Sequence, residues 1–434
     1  MKREPFEETA AIVRGLKPVL WSVLLLYSVA HFAFTGVWAA IGVRGGDVLS
    51  GFPGPLVSGR EEFAADTVAV QYPNPTWNYG PIAHFWTYPL GFVRSIPDAM
   101  RILLAVNYVL LGIAFLIWLG ELSRDAGKGL SSAVMFVVWL NYFPLLQAIV
   151  GREFEILEFF LLSVGFYCLK RGREVVAGGM IGLAAMTKVL PALFVPYLVL
   201  KGRWRAAAAS VVAIVVIGLV GQRVLGFEHS VTFRLARGWT SAADFEPHAD
   251  NQAMANIVQR AFTTHINPRS PKMTPAFPAA SRVLGGVAQI SLLGFVLVWV
   301  WKQRRRPVNV WEYSILLMTM IVIPPWSNIY YLMFLVVPFS AGFVWLLGRG
   351  EARFGQLAVV AIAYTLTGYV VPISFMASAV SLSPVEMRNL LGHLSIPGVG
   401  MLILFATFWE LKGYCVEGSC GSPQTVPRDR EAAF

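Results

Sequence analysis

Long apolar runs alternate along the chain with short clusters of Lys and Arg, the runs lying at roughly 17–43, 99–120, 130–150, 154–169, 175–200, 206–225, 283–301, 311–347, 356–377 and 395–411. A helix rises about 1.5 Å per residue, so roughly 20 apolar residues cross about 30 Å of hydrocarbon. The pattern therefore predicts an all-α polytopic membrane protein.

Two of the runs carry more than one crossing. The run 175–200 is flanked by Lys170, Arg171 and Arg173 on one side and by Lys201, Arg203 and Arg205 on the other. Cytoplasmic loops collect Lys and Arg, and a single crossing would leave one cluster outside. The chain is expected to enter and return, turning at Thr187-Lys188-Val189-Leu190-Pro191. The same logic applies to 311–347, bounded by Lys302, Arg304, Arg305 and Arg306 and then by Arg349 and Arg353, with Pro324-Pro325-Trp326-Ser327-Asn328 at its midpoint. Proline lacks an N–H and disfavours helix in the residue before it, so both midpoints suit a turn.

Counting both hairpins gives a bundle of about 10–12 transmembrane helices with both termini cytoplasmic. It forms one unit over 1–434, with outer loops at 44–98 and 226–282 and a disordered cytoplasmic tail over 412–434. Each arm of the first hairpin has about 12 residues, roughly 18 Å of helix, which is less than the hydrocarbon thickness. Lys188 is thus expected below the outer surface. An ammonium at that depth must be buried in protein or face water, and a cavity open to the outside is expected there.

Composition narrows the reading. Of 434 residues, 56% are apolar and 14% charged, far from a soluble domain's charged content of about 25%. The net charge of +10 resides largely in short loops, which points to membrane orientation and away from nucleic acid. Cys168, Cys415 and Cys420 offer no paired framework or Cys-x-x-Cys motif, so free thiols are expected. The first run follows Lys2, Arg3, Arg14 and Lys17 and is too long for a cleavable signal, so it reads as a retained span.

Candidate chemistry concentrates on the loop side. Asp47 follows Arg44-Gly45-Gly46 just beyond the first span, where a partly desolvated carboxylate suits a general base; the alternative is a solvated acid or cap. Glu153, Glu155 and Glu158 open the fourth span, and Glu155 and Glu158 share a helix face. Carboxylates at such depth need a partner, for which Arg152, Lys188 or a substrate hydroxyl qualifies. Lys188, Arg152 and Arg260 are candidate phosphate ligands. Trp77 and Tyr79 offer flat faces to a sugar, with Asn78 and His84 for its hydroxyls, unless these aromatics form the interfacial belt. In the second loop His248, Asp250, Asn251 and Gln252 form a polar run without the further ligands a metal would need, so no metal and no cofactor is expected. Residues 252–262 place Met254, Ile257, Val258 and Ala261 at helical spacing, predicting a short amphipathic helix on the membrane or the cavity rim.

The segment 150–205, with Gly151-Arg152-Glu153, Gly178-Gly179, Gly182-Leu183-Ala184-Ala185, Lys188-Val189-Leu190-Pro191 and Arg203-Trp204-Arg205, resembles bacterial glycosyltransferase family 87. That family is the polyprenyl-phosphate-mannose-dependent mannosyltransferase group of the GT-C superfamily. Gly46-Asp47, Tyr79-Gly80-Pro81, Tyr88-Pro89-Leu90, Asn251-Gln252 with Arg260, and Pro324-Pro325-Trp326 extend the likeness over most of the chain. The resemblance implies a GT-C-like bundle, a catalytic Asp47, a Lys188-x-x-Pro191 turn near the lipid-phosphate end of the site, and a sugar or acceptor region that includes Asn251, Gln252 and Trp326. Two segments depart from the family pattern: Arg152-Glu153-Phe154-Glu155 stands where a Gln and an Asn are frequent, and Asn328-Ile329-Tyr330-Tyr331 where a His commonly follows the Trp.

The resulting expectation is a multi-pass enzyme of a bacterial plasma (inner) membrane with its active site facing outside. It would move a hexose, mannose first among them, from a polyprenyl-phosphate donor to a lipid-linked or cell-envelope glycan, with membrane lipids as its other partners. The competing reading is a transporter or flippase of a polyprenyl-linked sugar. Such proteins often carry internal repeats, and none relates the two hairpins here.

Overall fold

The computed structural model describes residues 4–41, 80–93, 96–151, 153–225, 248–263, 265–273, 275–324, 327–348, 354–369 and 373–416. Among these, helix dominates, and the extended pairing is an isolated bridge between His248 and Lys272. In chain order the helices are α1 (Glu4–Ile41), α2 (Pro81–Thr87), α3 (Ile96–Ala126), α4 (Lys128–Asn141), α5 (Phe143–Gly151), α6 (Glu155–Lys170) and α7 (Glu174–Thr187). A 3₁₀ turn (Leu190–Leu193) leads into α8 (Phe194–Leu200), followed by α9 (Trp204–Leu225), α10 (Met254–Ala261), α11 (Pro278–Lys302) and α12 (Val310–Val322). A second 3₁₀ segment (Ile329–Leu335) precedes α13 (Val336–Gly348), after which come α14 (Phe354–Gly368), α15 (Ile373–Ala379), α16 (Pro384–His393) and α17 (Ile396–Val416). Among the described residues, five stretches are long and apolar enough to cross a membrane alone: Pro18–Val37, Asp98–Arg124, Trp204–Val224, Pro278–Lys302 and Ile329–Gly348.

The run 175–200 does enter and return. An added Cβ on Gly178 would lie 2.1 Å from the Ala206 carbonyl oxygen, and one on Gly182 would lie 2.7 Å from that of Ser210. The register rises together on α7 and α9, so the two helices run parallel and start at one end, where Arg203 and Glu174 pair at 2.9 Å. The intervening 3₁₀ turn and α8 must therefore run back. Small residues four apart let the two backbones approach closely, and the Ser210 hydroxyl donates to the Gly178 carbonyl at 2.9 Å. The second hairpin closes likewise, because Trp311 at the start of α12 meets Trp345 near the end of α13 with ring centroids 5.5 Å apart.

The turns carrying the basic clusters gather at one end. Lys170 pairs with Glu121, which also holds Arg124 at 3.2 Å. Lys201 donates to the carbonyls of Gln303 and Arg306 at 2.9 and 2.7 Å and to Glu312 at 3.1 Å. We call this the basic end and the opposite one the loop end. Just inside the basic end, where Lys170 lies 5.6 Å from the Phe166 centroid, an aromatic stack of Trp118, Phe166, Tyr313 and Phe194, with successive centroids 4.8, 4.5 and 5.0 Å apart, ties α3, α6, α12 and α8 together.

The structure corrects several sequence expectations. The run 130–150 is two helices bent by 57° at Tyr142, because Pro144 has no N–H to continue α4 but fits the first turn of α5. The run 356–377 stops as helix at Gly368, followed by Tyr369 with φ of +44°. Helix α17 continues to Val416, so the first residues of the expected disordered tail are ordered; 417–434 lie outside the described residues. Helix α10 forms where the periodicity placed it but presents its polar side inward: Asn256, Gln259 and Arg260 are buried while Ala261 is exposed. That polar side exchanges hydrogen bonds with the loop backbone at His248 and Asn251. Cys168 is a buried free thiol.

Candidate functional site

At the loop end the tips of both hairpins converge on the start of α6. Helix α7 stops at Thr187, and Lys188 takes an extended conformation (φ −147°, ψ 149°) while its N–H still donates to Ala184. This break turns the Lys188 side chain across to α6, where its ammonium pairs with Glu155. Lys188 is only 7% exposed. The faces of Tyr331 and Tyr330 also lie against the ammonium, 4.2 and 5.4 Å from their centroids, a cation–π arrangement that strengthens as water is excluded.

The pair is not balanced. Glu158 lies one turn further along α6 and is wholly buried, and neither of its oxygens meets a hydrogen-bond partner among the described residues; the same is true of Glu155 Oε2. Glu153, half-buried, stands just before the helix, and the Tyr330 ring lies within electrostatic range of Glu153, Glu155 and Asp250. The site therefore combines one buried cation with several carboxylates and aromatic faces. Such a set can hold an anionic group at the ammonium and hydroxyls at the carboxylates.

Each outer loop is fastened to one hairpin tip. Where the first loop ends, the Gly80 N–H donates to the Thr187 carbonyl at 2.6 Å, and a Cβ there would stand 1.7 Å from the Met186 carbonyl oxygen. Only glycine permits that approach. Pro81 then starts α2, which carries His84 in its sequence. The second loop grips the other tip: the Gln252 N–H donates to the Ser327 carbonyl at 2.6 Å, and Asn251 Oδ1 accepts from the N–H groups of Ser327 and Ala253 at 2.9 and 3.0 Å.

Arg260 holds that loop in shape. Its guanidinium donates to Ser395 Oγ at 2.6 Å, to the carbonyls of Asn251 and His248 at 2.7 and 3.1 Å, and to Gln252 Oε1 at 3.4 Å. Burial lowers its pKa to about 10, so it stays charged at neutral pH. Beside it, Asp250 lies 3.4 Å from Arg388 and 4.0 Å from His248. Burial lowers the His248 pKa from its ordinary value, opposed by the Asp250 carboxylate.

The structure thus gathers Lys188, Glu153 and Glu155 in one cluster, sets Asn251 and Gln252 against the neighbouring tip, and commits the described hydrogen bonds of Arg260 to the loop itself and to Ser395. Asp47, Trp77, Asn78, Tyr79, Arg152 and Trp326 lie outside the described residues, as does the expected cavity mouth at Asp47. Sequence reasoning did not foresee Tyr330 and Tyr331 as the wall against Lys188, nor Asp250 with Arg388 beside it. The paired tyrosines, the first of them five residues after the helix-breaking Pro324-Pro325, were the available signal.

No curated protein matches the chain in sequence. The model of glycosyltransferase family 87 matches residues 77–325, more than half of the sequence, and spans both α6 with its carboxylates and the Lys188 turn. The chain belongs to glycosyltransferase family 87.

Proposed function

We propose that this membrane glycosyltransferase moves a hexose, mannose first, from a polyprenyl phosphate to a hydroxyl of a lipid-linked or cell-envelope glycan, on the outer face of a bacterial plasma membrane. The observation that carries the reading is the buried Lys188 at the tip of a re-entering hairpin, paired with Glu155 and faced by Tyr331. A buried cation beneath the loop end, next to carboxylates, suits a phosphate that arrives from the membrane with a sugar attached.

The reaction is a single displacement. Asp47 takes the proton of the acceptor hydroxyl as its oxygen attacks the anomeric carbon, the bond from that carbon to the phosphate oxygen breaks, and polyprenyl phosphate leaves with inversion. Lys188 and Arg152 meet the charge that grows on the leaving phosphate. Glu153, Glu155, Asn78 and His84 serve sugar or acceptor hydroxyls, Trp77, Tyr79 and Trp326 stack on the rings, and Asn251, Gln252 and Arg260 position the second loop. An apolar groove of about 440 Å³ between α1 and α3, lined by Phe32, Gly36, Val37, Leu104 and Tyr108 with Arg101, supports a path for the prenyl chain.

The test is to supply membranes, with and without the protein, with radiolabelled polyprenyl-phosphate hexoses and to identify the labelled product. Asp47→Asn keeps the shape and removes the basicity, so turnover should fall about 10²- to 10⁴-fold while donor binding persists. Normal turnover by that variant would remove Asp47 from the mechanism, and labelled sugar moved without a new glycosidic bond would replace transferase with transporter.

A further inference from the structure

At the basic end, far from the Lys188 cluster, a cavity of about 620 Å³ is lined by Gly172, Arg173, Glu174, Val175, Val176, Gly202, Trp204 and Arg205. Two turns of the same construction build it. In the first, Gly172 has φ of +72° and the Arg173 N–H donates to the Cys168 carbonyl at 2.9 Å; in the second, Gly202 has φ of +68° and the Arg203 N–H donates to Leu198 at 2.9 Å. Each turn ends one helix and starts the next. The parallel packing of α7 and α9 sets the two turns side by side, so that Arg173 and Arg205 flank one depression.

The charges within it are unequal. Glu174 is neutralised by Arg203 at 2.9 Å, whereas among the described residues Arg173 and Arg205 form no ion pair and both are exposed. The cavity therefore presents two guanidinium groups in excess. It is also amphipathic: Val175 is 64% and Trp204 64% exposed, and the outward side of α9 continues as an exposed apolar strip through Val212, Val216 and Leu219. A free phosphate would use the arginines and leave this strip irrelevant. A lipid uses both, its headgroup between the arginines and its acyl chains along α9.

From this arrangement we infer that the two arginine turns form a binding site for the phosphate headgroup of an anionic phospholipid, in the leaflet bordering the basic end. The site is separate from the donor site and independent of the reaction assigned above. Guanidinium groups match phosphate oxygens in geometry, and each basic side chain near an anionic surface adds affinity.

The experiment is native mass spectrometry of the full-length protein in micelles doped with equal phosphatidylglycerol and phosphatidylcholine. The unaltered protein should retain phosphatidylglycerol preferentially, and the pair Arg173→Ala with Arg205→Ala should lower that preference roughly 30-fold. Arg304→Ala, at the same end but outside the cavity, should keep it. Val176→Asp, which leaves the arginines in place and puts a carboxylate on the rim, should also lose it, which keeps the test decisive should the double variant misfold. Undiminished preference in either cavity variant, or equal loss in Arg304→Ala, would overturn the site. Displacement of the bound lipid by millimolar glycerol phosphate as readily as by phosphatidylglycerol would overturn the lipid assignment in favour of a free phosphate ester.

Discussion

Among the described residues two lysine–glutamate pairs are buried, one at each end of the first hairpin, and they are built for different ends. Lys201 is capped on all sides: its three ammonium protons go to two carbonyls and to Glu312, and these bonds tie the end of α8 to the α11–α12 connection. Lys188 has Glu155 and two tyrosine faces, while Glu158 beside it brings two more carboxylate oxygens that no described group satisfies. At the basic end the ammonium is fully donated and Glu312 Oε1 lacks a described partner, which suits a structural tie; at the loop end Glu155 Oε2 and both Glu158 oxygens lack one, and that larger surplus costs free energy unless a ligand or water supplies the missing partner.

Charge removal breaks this comparison most directly. Lys188→Met and Lys201→Met each strand a carboxylate in the interior and should each lower stability by about 3–5 kcal/mol. The double replacements separate the two pairs. Lys201→Met with Glu312→Leu should regain most of the stability and keep turnover per folded molecule near normal. Lys188→Met with Glu155→Leu should regain stability while turnover stays down by about 10²-fold or more, because the charge we propose for the leaving phosphate is gone. Thermal unfolding and sugar transfer measured on the same preparations decide it; equal recovery of transfer in both doubles would make the Lys188 pair a structural tie as well.

Much of this was legible in the sequence, and the legible part is the part governed by the bilayer. Basic clusters on both sides of a run too short to cross twice as full helices gave the Lys188 hairpin, and the helix pair α7 and α9 confirms the return through Gly178 and Gly182. What escaped reading depended on tertiary partners. The inward polar side of α10 exists because Arg260 meets carbonyls from the turn at 248–251 and a hydroxyl on Ser395, more than a hundred residues away. Helix α16 escaped although its capping box was written plainly: Ser383 Oγ accepts from the Glu386 N–H at 3.2 Å, Glu386 answers at Ser383, and Pro384 holds the first turn. Its sequence is too polar to register among apolar runs. The tyrosines against Lys188 were visible only as residues following a break, since nothing local says which cation a ring will face.

The two loop fasteners extend the comparison from charges to backbone. Gly80 lets the first loop meet the Lys188 tip, and Gly392 lets α16 meet the second loop, where a Cβ would stand 2.3 Å from the Ala249 carbonyl oxygen. If the first loop carries the base, Gly80→Ala should lower kcat by about 10²-fold, the size expected for a displacement near 1 Å. Gly392→Ala should act mainly on the KM of the acceptor. Gly112→Ala, with nothing within 4 Å of the new methyl, is the control. Indistinguishable kcat for Gly80→Ala and Gly112→Ala would detach the first loop from the chemistry.

The smallest effect distinguishes the loops by pH. His248 is half-buried in the second loop, where burial lowers its pKa; Asp250 opposes that shift, and Arg388, His393 and Lys272 add to it. Because the docked form holds the imidazole proton less tightly than the open form, the open form binds more protons between the lowered value and the ordinary one near 6.5. Docking of the second loop is therefore at full strength above about pH 6.5 and weakens as pH falls below it. The protection factors of the amides in 248–262, each taken against the intrinsic exchange rate at that pH, should fall on acidification, while that of Gly80, in a segment that the His248 loop does not fasten, should change little. His248→Gln should remove the pH dependence of that protection and keep it near the neutral-pH value. A fall in protection that survives the substitution would move the titrating group elsewhere in the cluster and leave the two fasteners alike in their response to protons.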